Sequence, residues 1–389
     1  MAHAPNPVFS KLPTTIFTTM SALAAQHSAV NLGQGFPDED GPVSIRQVAA
    51  KALADGPNQY PPMRGIPQLR QAICAHAKRF YGIEFDPDAN VVVTSGGTEA
   101  LTASIMALAA QGGEVLLIEP AYDSYAPIAE AVGARVKTVK LSPPDWRLDA
   151  EAIAAAITPD TRVLMLNSPL NPTGRAFTRD ELQGVSRVLA RSNAVAVCDE
   201  VYEHLIFDRR EHIPLITLPG MAERVVRVGS AGKMFSLTGW KVGWVTGPKA
   251  LIDVIAKAHQ FITFTTPPAL QLGVAYALEQ EMDFTLNLTK SLQANRDLLA
   301  QRLSHIGFEI LPCEGSYFLT VGIRSLTNEG DRAFCERLVR EAGVALIPLS
   351  VFFSNGRPDH LVRFAFCKKR AVMEEALNRL QRHFAGDQG

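Results

Sequence analysis

The feature that most constrains the fold is a regular alternation of short apolar strands with helical stretches between residues 91 and 246. The strands are predicted at residues 91–94, 114–118, 134–139, 162–166, 194–198, 225–228 and 242–246. They are nearly continuous in β-branched and apolar residues, which is typical of a mostly parallel sheet covered on both faces. The alternation therefore predicts an α/β domain of three layers, with helices on either side of the sheet.

The pattern changes after residue 247, where the chain predicts a smaller α+β domain. Helices are expected over residues 282–305 and 331–341, and strands over residues 309–311, 317–321 and 361–366. We assign residues 46–284 to the large domain and residues 1–45 with 285–389 to the small one. The N-terminal segment has no place in the alternation, so we expect it to pack on the small domain and on a partner subunit.

Composition favours a soluble enzyme of about two domains, since 47% of the 389 residues are hydrophobic and 20% are charged. A net charge of −1 argues against nucleic acid or an anionic membrane as a partner. No signal peptide and no apolar run of the roughly 20 residues of a membrane span is visible. The five scattered cysteines read as free thiols, so we expect a cytoplasmic protein: Cys74, Cys198, Cys313, Cys335 and Cys367.

Lys233 ends the run Gly229-Ser230-Ala231-Gly232-Lys233, which follows the predicted strand at 225–228. Its small neighbours would let the backbone approach a bulky ligand closely. An amine in such a place could form a Schiff base with a carbonyl cofactor. Taken alone, the residue is explained equally well as a lysine of a surface loop.

Two further groups follow predicted strands at the edge where ligands of open α/β sheets bind. The run Ser95-Gly96-Gly97-Thr98-Glu99 opens a helix, so its amide groups could hold a phosphate. An ordinary turn with Thr98 as the N-cap is the alternative. Tyr122 could stack on a planar cofactor ring, or it could be a packed tyrosine.

The next two strands end in an amide and a carboxylate. Two X-Pro steps stiffen the loop that carries Asn171, although a simple Pro/Asn/Gly turn has the same composition. Asp199 lies at the mouth of a buried strand, where a charge needs a partner such as a protonated pyridine nitrogen. Tyr202 could donate to a phenolate oxygen of the same ring. The alternative is an N-cap aspartate with a structural tyrosine.

Two more cations complete the set. Lys241, eight residues beyond Lys233, could hold a cofactor phosphate together with the Ser230 hydroxyl. Arg363 lies within the apolar strand at 361–366, and a buried arginine needs an anion. That anion could be a substrate carboxylate or a structural partner in the small domain.

Together these residues resemble the fold-type I, pyridoxal-phosphate-dependent aminotransferases of classes I and II, over nearly the whole chain. The motifs in order are Asn31–Pro37, Asn58-Gln59-Tyr60, Asn171-Pro172, Asp199–Tyr202, Ser230–Lys233, Gly239–Gly243 and Arg363. The most similar branch looks like the kynurenine/glutamine aminotransferases and the bacterial methionine aminotransferases. Residues 312–318 and 347–352 look most like the methionine enzymes.

The resemblance implies pyridoxal 5'-phosphate as cofactor and a homodimer with shared active sites. Lys233 would carry the Schiff base and act as general base, Asp199 would pair with the pyridine nitrogen, and Tyr202 would donate to the ring oxygen. Tyr122 would stack on the ring. The phosphate would be held by Gly97, Thr98, Ser230 and Lys241, with Tyr60 of the other subunit. Asn171, Arg363 and the Gly35 backbone would bind the substrate carboxylate, with Asn171 also near the cofactor.

The amino donor is left open. Phe17, Phe36, Phe264 and Phe352 are candidates for an apolar substrate pocket, or for the core. No second arginine is placed for a dicarboxylate, which favours large neutral, sulfur or aromatic amino acids over aspartate. Thr98 departs from the eukaryotic kynurenine enzymes, which have an aromatic residue there.

Related chains supply the alternatives. They act as cysteine-S-conjugate β-lyases or as N-succinyl-diaminopimelate aminotransferases, and some are transcription regulators with an added DNA-binding domain. This chain has neither the extra length nor a basic patch that such a regulator needs.

Overall fold

The strands of the chain are described by a computed structural model that covers residues 5–355 and 358–386. They are β1 (Val30–Asn31), β2 (Val91–Thr94), β3 (Glu114–Glu119), β4 (Arg135–Lys140), β5 (Thr161–Asn167), β6 (Val195–Asp199), β7 (Val225–Ser230), β8 (Gly243–Thr246), β9 (Glu309–Ile310), β10 (Phe318–Gly322), β11 (Val344–Ala345), β12 (Ile347–Pro348) and β13 (Leu361–Ala365). Each predicted strand is present, with its ends moved by at most two residues.

Helices occupy most of the connections between these strands. They are α1 (Ile16–Gln26), α2 (Val43–Asp55), α3 (Pro67–Tyr81), α4 (Gly96–Leu108), α5 (Tyr125–Ala131), α6 (Ala150–Ala156), α7 (Arg179–Ala190), α8 (Ala231–Met234), α9 (Lys249–Ile262), α10 (Pro268–Gln280), α11 (Met282–Ile306), α12 (Asp331–Glu341) and α13 (Arg370–Gly386). Among the described residues, no helix is both long and apolar enough to cross a membrane.

The central sheet has seven strands in the order β2-β8-β7-β6-β5-β3-β4. All neighbouring pairs are parallel except the two that involve β8. Since β8 runs against both its neighbours, β2 points the same way as the other five strands. The predicted α/β fold with a mostly parallel sheet is confirmed.

Both faces of this sheet are covered, as β2 shows most directly. Val92 belongs to one cluster of buried apolar side chains, whereas Val91 and Val93 belong to the other. Successive residues of a strand point to opposite faces, so burial on both faces leaves no polar positions along it. This explains why the strands read as continuous apolar runs in the sequence.

A second, antiparallel sheet of four strands lies in the C-terminal part, in the order β12-β13-β10-β9. A separate parallel pair joins β1 to β11, with Val30 opposite Val344. This pairing attaches the N-terminal segment to the C-terminal part of the chain. It also brings residues 33–36 towards the carboxyl ends of the central strands.

The start of α4 differs from the expectation. The sequence suggested a helix from Thr98, whereas α4 begins at Gly96 and the strand-to-helix turn is tighter. The alternative of Thr98 as N-cap is therefore wrong. The Glu99 carboxylate accepts a hydrogen bond from the Ser95 amide instead, and this satisfies a donor at the turn.

Candidate active site

The ends of the central strands form a cavity of about 320 Å³. Strands β2, β3, β5, β6 and β7 all end at this edge, and β8 begins there. The predicted residues that line the cavity are Phe17, Gly35, Gly97, Thr98, Tyr122, Asn171, Asp199, Tyr202, Ser230, Lys233, Lys241 and Arg363. One concave site thus brings together residues that are up to 346 positions apart in the chain.

Lys233 lies on the short helix α8, directly after β7. Its Nζ donates a hydrogen bond of 2.7 Å to the Tyr317 hydroxyl, which in turn donates one of 2.6 Å to the Gly35 carbonyl oxygen. Burial lowers the pKa of the amine to about 8, against the opposing effects of Cys367 and Asp199. A substantial fraction of the amine is therefore neutral near that pH, as a nucleophile or base must be.

Asp199 is the last residue of β6 and is only 5% exposed. One carboxylate oxygen accepts a 2.6 Å hydrogen bond from the hydroxyl of Tyr125, at the start of α5. Burial raises the pKa of this carboxyl, and the hydrogen bond from Tyr125 opposes the rise. Among the residues that the structure describes, Asp199 is the only carboxylate that lines the cavity, so a cationic ligand group would find its partner there.

Arg363 points into the cavity from β13 and is almost completely buried. One guanidinium nitrogen donates 2.8 Å to Asn171 Oδ1 and another 2.9 Å to the Gly33 carbonyl, while the ring of Phe318 lies 3.9 Å from Cζ. Burial lowers its pKa to about 10, so the group remains a cation at neutral pH. Its Nε has no partner, and no carboxylate of the described residues pairs with it. A structural ion pair, considered as an alternative, is therefore not found.

The turn between β2 and α4 packs directly on Lys241. Gly96 has a positive φ of 82°, and a Cβ there would lie 3.4 Å from Lys241 Nζ. A side chain at this position would be strained and would fill the space beside the amine. The N-terminus of the 13-residue helix α4, the Ser230 hydroxyl and Lys241 thus face one corner of the cavity. Amide groups with a nearby ammonium are suited to a phosphate.

Four predicted aromatic residues lie outside the lining of the cavity. Tyr60 is 83% exposed and packs edge-on against the partly exposed ring of Phe264 at 5.3 Å. Phe36 is half exposed beneath the ammonium of Lys368, which lies 4.4 Å from its ring. Phe352 is buried beside Phe17, at a centroid distance of 6.1 Å. Of the four phenylalanines proposed for the pocket, only Phe17 lines it within one chain.

The turn that carries Asp199 and Tyr202 packs against a cluster of buried charges on its side away from the cavity. Arg227 of β7 donates to Glu200 at 2.5 Å and to Glu203 at 2.9 Å. Both glutamates are buried, so each charge is compensated where water cannot reach it. These side chains point away from the cavity, and we assign them a structural role.

Tyr125 and Tyr317 were missed by the sequence reasoning. Tyr125 follows Tyr122 by one helical turn, and a buried carboxylate at position 199 could have prompted a search for a hydroxyl donor. Tyr317 lies 84 positions from Lys233. No local pattern indicates that contact.

The sequence and the structure match known proteins over nearly their full length. Residues 27–380 match the family model described as aminotransferase class I and II. The chain is 45% identical to the probable N-succinyldiaminopimelate aminotransferase of Mycobacterium tuberculosis, covering 94% of this chain and 95% of that protein. The structure of that enzyme superposes with a TM-score of 0.95 over 97% of this chain and 100% of the other.

A second relative is the methionine aminotransferase of Escherichia coli, which is 42% identical over 96% of this chain and 97% of that protein. Its solved structure gives a TM-score of 0.95 and covers 98% of this chain and all of the other. The kynurenine–oxoglutarate transaminase 1 of Rattus norvegicus is 34% identical, over 94% of this chain and 95% of the relative. The chain therefore belongs to the class I and II aminotransferases, which depend on pyridoxal phosphate.

Proposed function

We propose that this enzyme transfers the amino group of a large neutral, sulfur-containing or aromatic amino acid to a 2-oxo acid, by a ping-pong mechanism on pyridoxal 5'-phosphate. The observation that carries the proposal is the meeting of three groups in one cavity: the Lys233 amine, the buried Asp199 carboxylate and the unpaired Arg363 guanidinium.

The residues of the cavity fit this cofactor. The corner of the cavity that Gly97, Ser230 and Lys241 line at the N-terminus of α4 suits its phosphate. Asp199 is buried and forms no ion pair among the described residues, and a protonated pyridine nitrogen would supply a cation. Tyr202 lines the same wall and would donate to the ring oxygen, while Tyr122 would stack on the ring. Bound pyridoxal phosphate would contribute an electrophilic carbonyl carbon and an electron-accepting ring.

Arg363 and Asn171 would bind the α-carboxylate of the substrate. The guanidinium already has two neutral acceptors, the Asn171 amide oxygen and the Gly33 carbonyl, which fix its plane. A guanidinium has five N–H donors, so these two hydrogen bonds leave others for the incoming anion. The backbone of Gly35 lines the cavity nearby and would close one side of the carboxylate site.

Lys233 would move the proton of the substrate. Its amine has a pKa of about 8, so near neutral pH it exchanges readily between the base and the ammonium form. In the role proposed here, the neutral amine takes the α-proton of the bound amino acid. The ammonium formed in this way would then give a proton to the bound cofactor. Burial excludes bulk water, which would otherwise compete for the same proton.

We further propose a homodimer in which Tyr60 completes the cavity of the other copy. Its side chain is exposed on a single chain and does not line the main cavity there. Its ring packs on Phe264, and Phe261, three residues earlier in the chain, is exposed as well. Light scattering is expected to give about twice the 42.2 kDa mass of one chain. Tyr60→Phe is expected to weaken cofactor binding about tenfold with the mass unchanged. A fully active monomer would contradict the shared site.

The charges of the cavity carry the prediction of substrate class. Within residues 5–355 and 358–386, Lys233, Lys241 and Arg363 are the only cationic residues that line it, and all three have proposed roles with the cofactor or the α-carboxylate. A side-chain carboxylate would then be buried without a cation, which is costly. We expect kcat/KM for methionine or phenylalanine to exceed that for aspartate by roughly 100-fold. A matrix of donors and oxo acids on the purified enzyme tests this, and a preference for aspartate would overturn it.

A second candidate is N-succinyl-diaminopimelate transamination, which is favoured by the name of the M. tuberculosis relative. The same matrix includes glutamate with the succinylated oxo acid, and a dominant rate for that pair would replace the first proposal. Cysteine S-conjugates without an oxo acid form a third arm. Pyruvate and ammonia released there would indicate β-lyase activity.

A further inference from the structure

The hydroxyl of Tyr317 connects the Lys233 amine to the chain segment that would bind substrate. It accepts from Lys233 Nζ at 2.7 Å and donates to the Gly35 carbonyl at 2.6 Å. Gly35 lines the main cavity. One phenol therefore bridges the group that would move the proton and the wall that would hold the carboxylate.

The directions of these two hydrogen bonds follow from which of the groups carry a proton to donate. A phenol has one proton, and the Gly35 carbonyl can only accept, so that proton points to Gly35. The Tyr317 oxygen must then accept from Lys233. Because a hydrogen bond donated by an ammonium is stronger than one donated by an amine, this contact favours the protonated form of Lys233.

Tyr317 is held rigidly in this place. It is 1% exposed, directly precedes β10, and packs edge-on against the ring of Tyr202 at 5.2 Å. Ser316 before it has a positive φ of 60°, so the backbone there is fixed in a strained turn. The hydroxyl therefore has little freedom to follow a moving lysine.

A second cavity of about 180 Å³ lies behind this contact, lined by Lys233, Tyr317, Cys367 and Ser236 among others. Lys233 lines both cavities, so its side chain stands in the wall between them. The amine in this wall is hydrogen-bonded to the Tyr317 hydroxyl, which borders the second cavity.

We propose that Tyr317 is a positioning residue that docks the Lys233 amine whenever that amine is not bonded to the cofactor. The inference rests on the proposed function, in which substrate displaces the lysine and the freed amine then acts as the base. In this arrangement one N–H of the amine is always hydrogen-bonded to the fixed Tyr317 hydroxyl. It holds the nitrogen in the wall of the cavity, beside the substrate, rather than in solvent.

Several charged or titratable groups face the amine besides Tyr317. Asp199 and Cys367 favour its protonated form, while Lys241 and Arg363 oppose it. The ring of Tyr202 also lies near, with its centroid 5.7 Å from Nζ. Replacing Tyr317 with phenylalanine leaves all of these in place and removes the hydroxyl that accepts from Lys233 and donates to Gly35.

The first test uses the apoprotein. Lys233 is labelled with an acylating reagent at a series of pH values and quantified by peptide mass spectrometry. We expect a midpoint near the pKa of about 8 in the native sequence, and a lower midpoint in Tyr317→Phe. At pH 7 the variant should label about fourfold faster, because less of its amine is protonated. Tyr81→Phe, which removes a hydroxyl outside both cavities, should label like the native protein.

The second test uses kinetics. Tyr317→Phe is expected to lower kcat about 30-fold with KM for the amino acid nearly unchanged, and to enlarge the isotope effect with α-deuterated substrate. A structural role alone would lower thermal stability without moving the labelling midpoint or the isotope effect. Unchanged values of both in a folded variant would overturn the docking role.

A third measurement needs no variant and decides the matter if Tyr317→Phe does not fold. A crystal structure with pyridoxamine phosphate, which has no bond to lysine, should place Lys233 Nζ about 3 Å from the Tyr317 hydroxyl. An amine more than 4 Å away would contradict the proposal. Failure of the proposed function looks different, because Lys233 would then form no reducible adduct with pyridoxal phosphate at all.

Discussion

Lys233→Ala is expected to lower transamination about 10⁴-fold, while the folded protein still binds the cofactor through its phosphate. The alanine removes both the amine that would bond to the cofactor and the base that would move the proton. Its neighbours in α8 are alanine, glycine and methionine, so no nearby side chain replaces it. Turnover with methionine and 2-oxoglutarate, measured with saturating cofactor, gives the result.

Two matched variants separate charge from chemistry. Lys233→Arg keeps a cation, but a guanidinium neither deprotonates nor forms a Schiff base at neutral pH, so it should be as inactive as the alanine. Lys241→Ala should weaken cofactor binding about tenfold or more and keep much of kcat at saturation, since its amine faces the phosphate corner. Native turnover in Lys233→Ala would end the mechanism proposed here.

Asp199→Asn is expected to lower kcat about 10³-fold. Asparagine has nearly the same shape, and its oxygen can still accept the hydrogen bond from Tyr125. It has no charge, however, so a bound pyridine ring would lose its proton and become a weaker electron acceptor. The expected signature is a large loss of kcat with only a modest change in KM, read from steady-state kinetics.

Asp331→Asn is the control for that variant. Asp331 is a buried aspartate that accepts from the Ser350 amide and hydroxyl and does not line the cavity. Its replacement should lower the melting temperature and leave kcat of the folded enzyme near the native value. Equal kinetic losses in both variants would mean that Asp199 acts through stability rather than through the cofactor.

Much of the fold could be predicted because the central strands are buried on both faces. Residues 225–230 and 161–167 contain few polar side chains, so their boundaries are marked by the polar turns that follow them. The same rule located the site, since Asp199 is the last residue of β6 and Asn171 lies in the loop that follows β5. Local sequence sufficed wherever one strand and one turn determined the position of a residue.

What could not be predicted depends on contacts between distant parts of the chain. The contact of Tyr317 with Lys233 joins the C-terminal part to the central sheet. That of Tyr125 with Asp199 joins the helix after β3 to the end of β6, with β5 lying between these two strands in the sheet. Both require the packed fold before they exist. Phe352 is the opposite case. Its place in the sequence motifs suggested a role in the apolar pocket, whereas in the structure its ring packs beside Phe17.

The most direct measurement of the central claim is reduction of the cofactor-loaded enzyme with borohydride, followed by peptide mass spectrometry. A Schiff base is converted by reduction into a stable secondary amine, which marks the lysine that formed it. The account predicts one phosphopyridoxyl group per chain, attached to Lys233, and none on Lys241. A label on Lys241, or no label on Lys233 in an enzyme that transaminates, would contradict it.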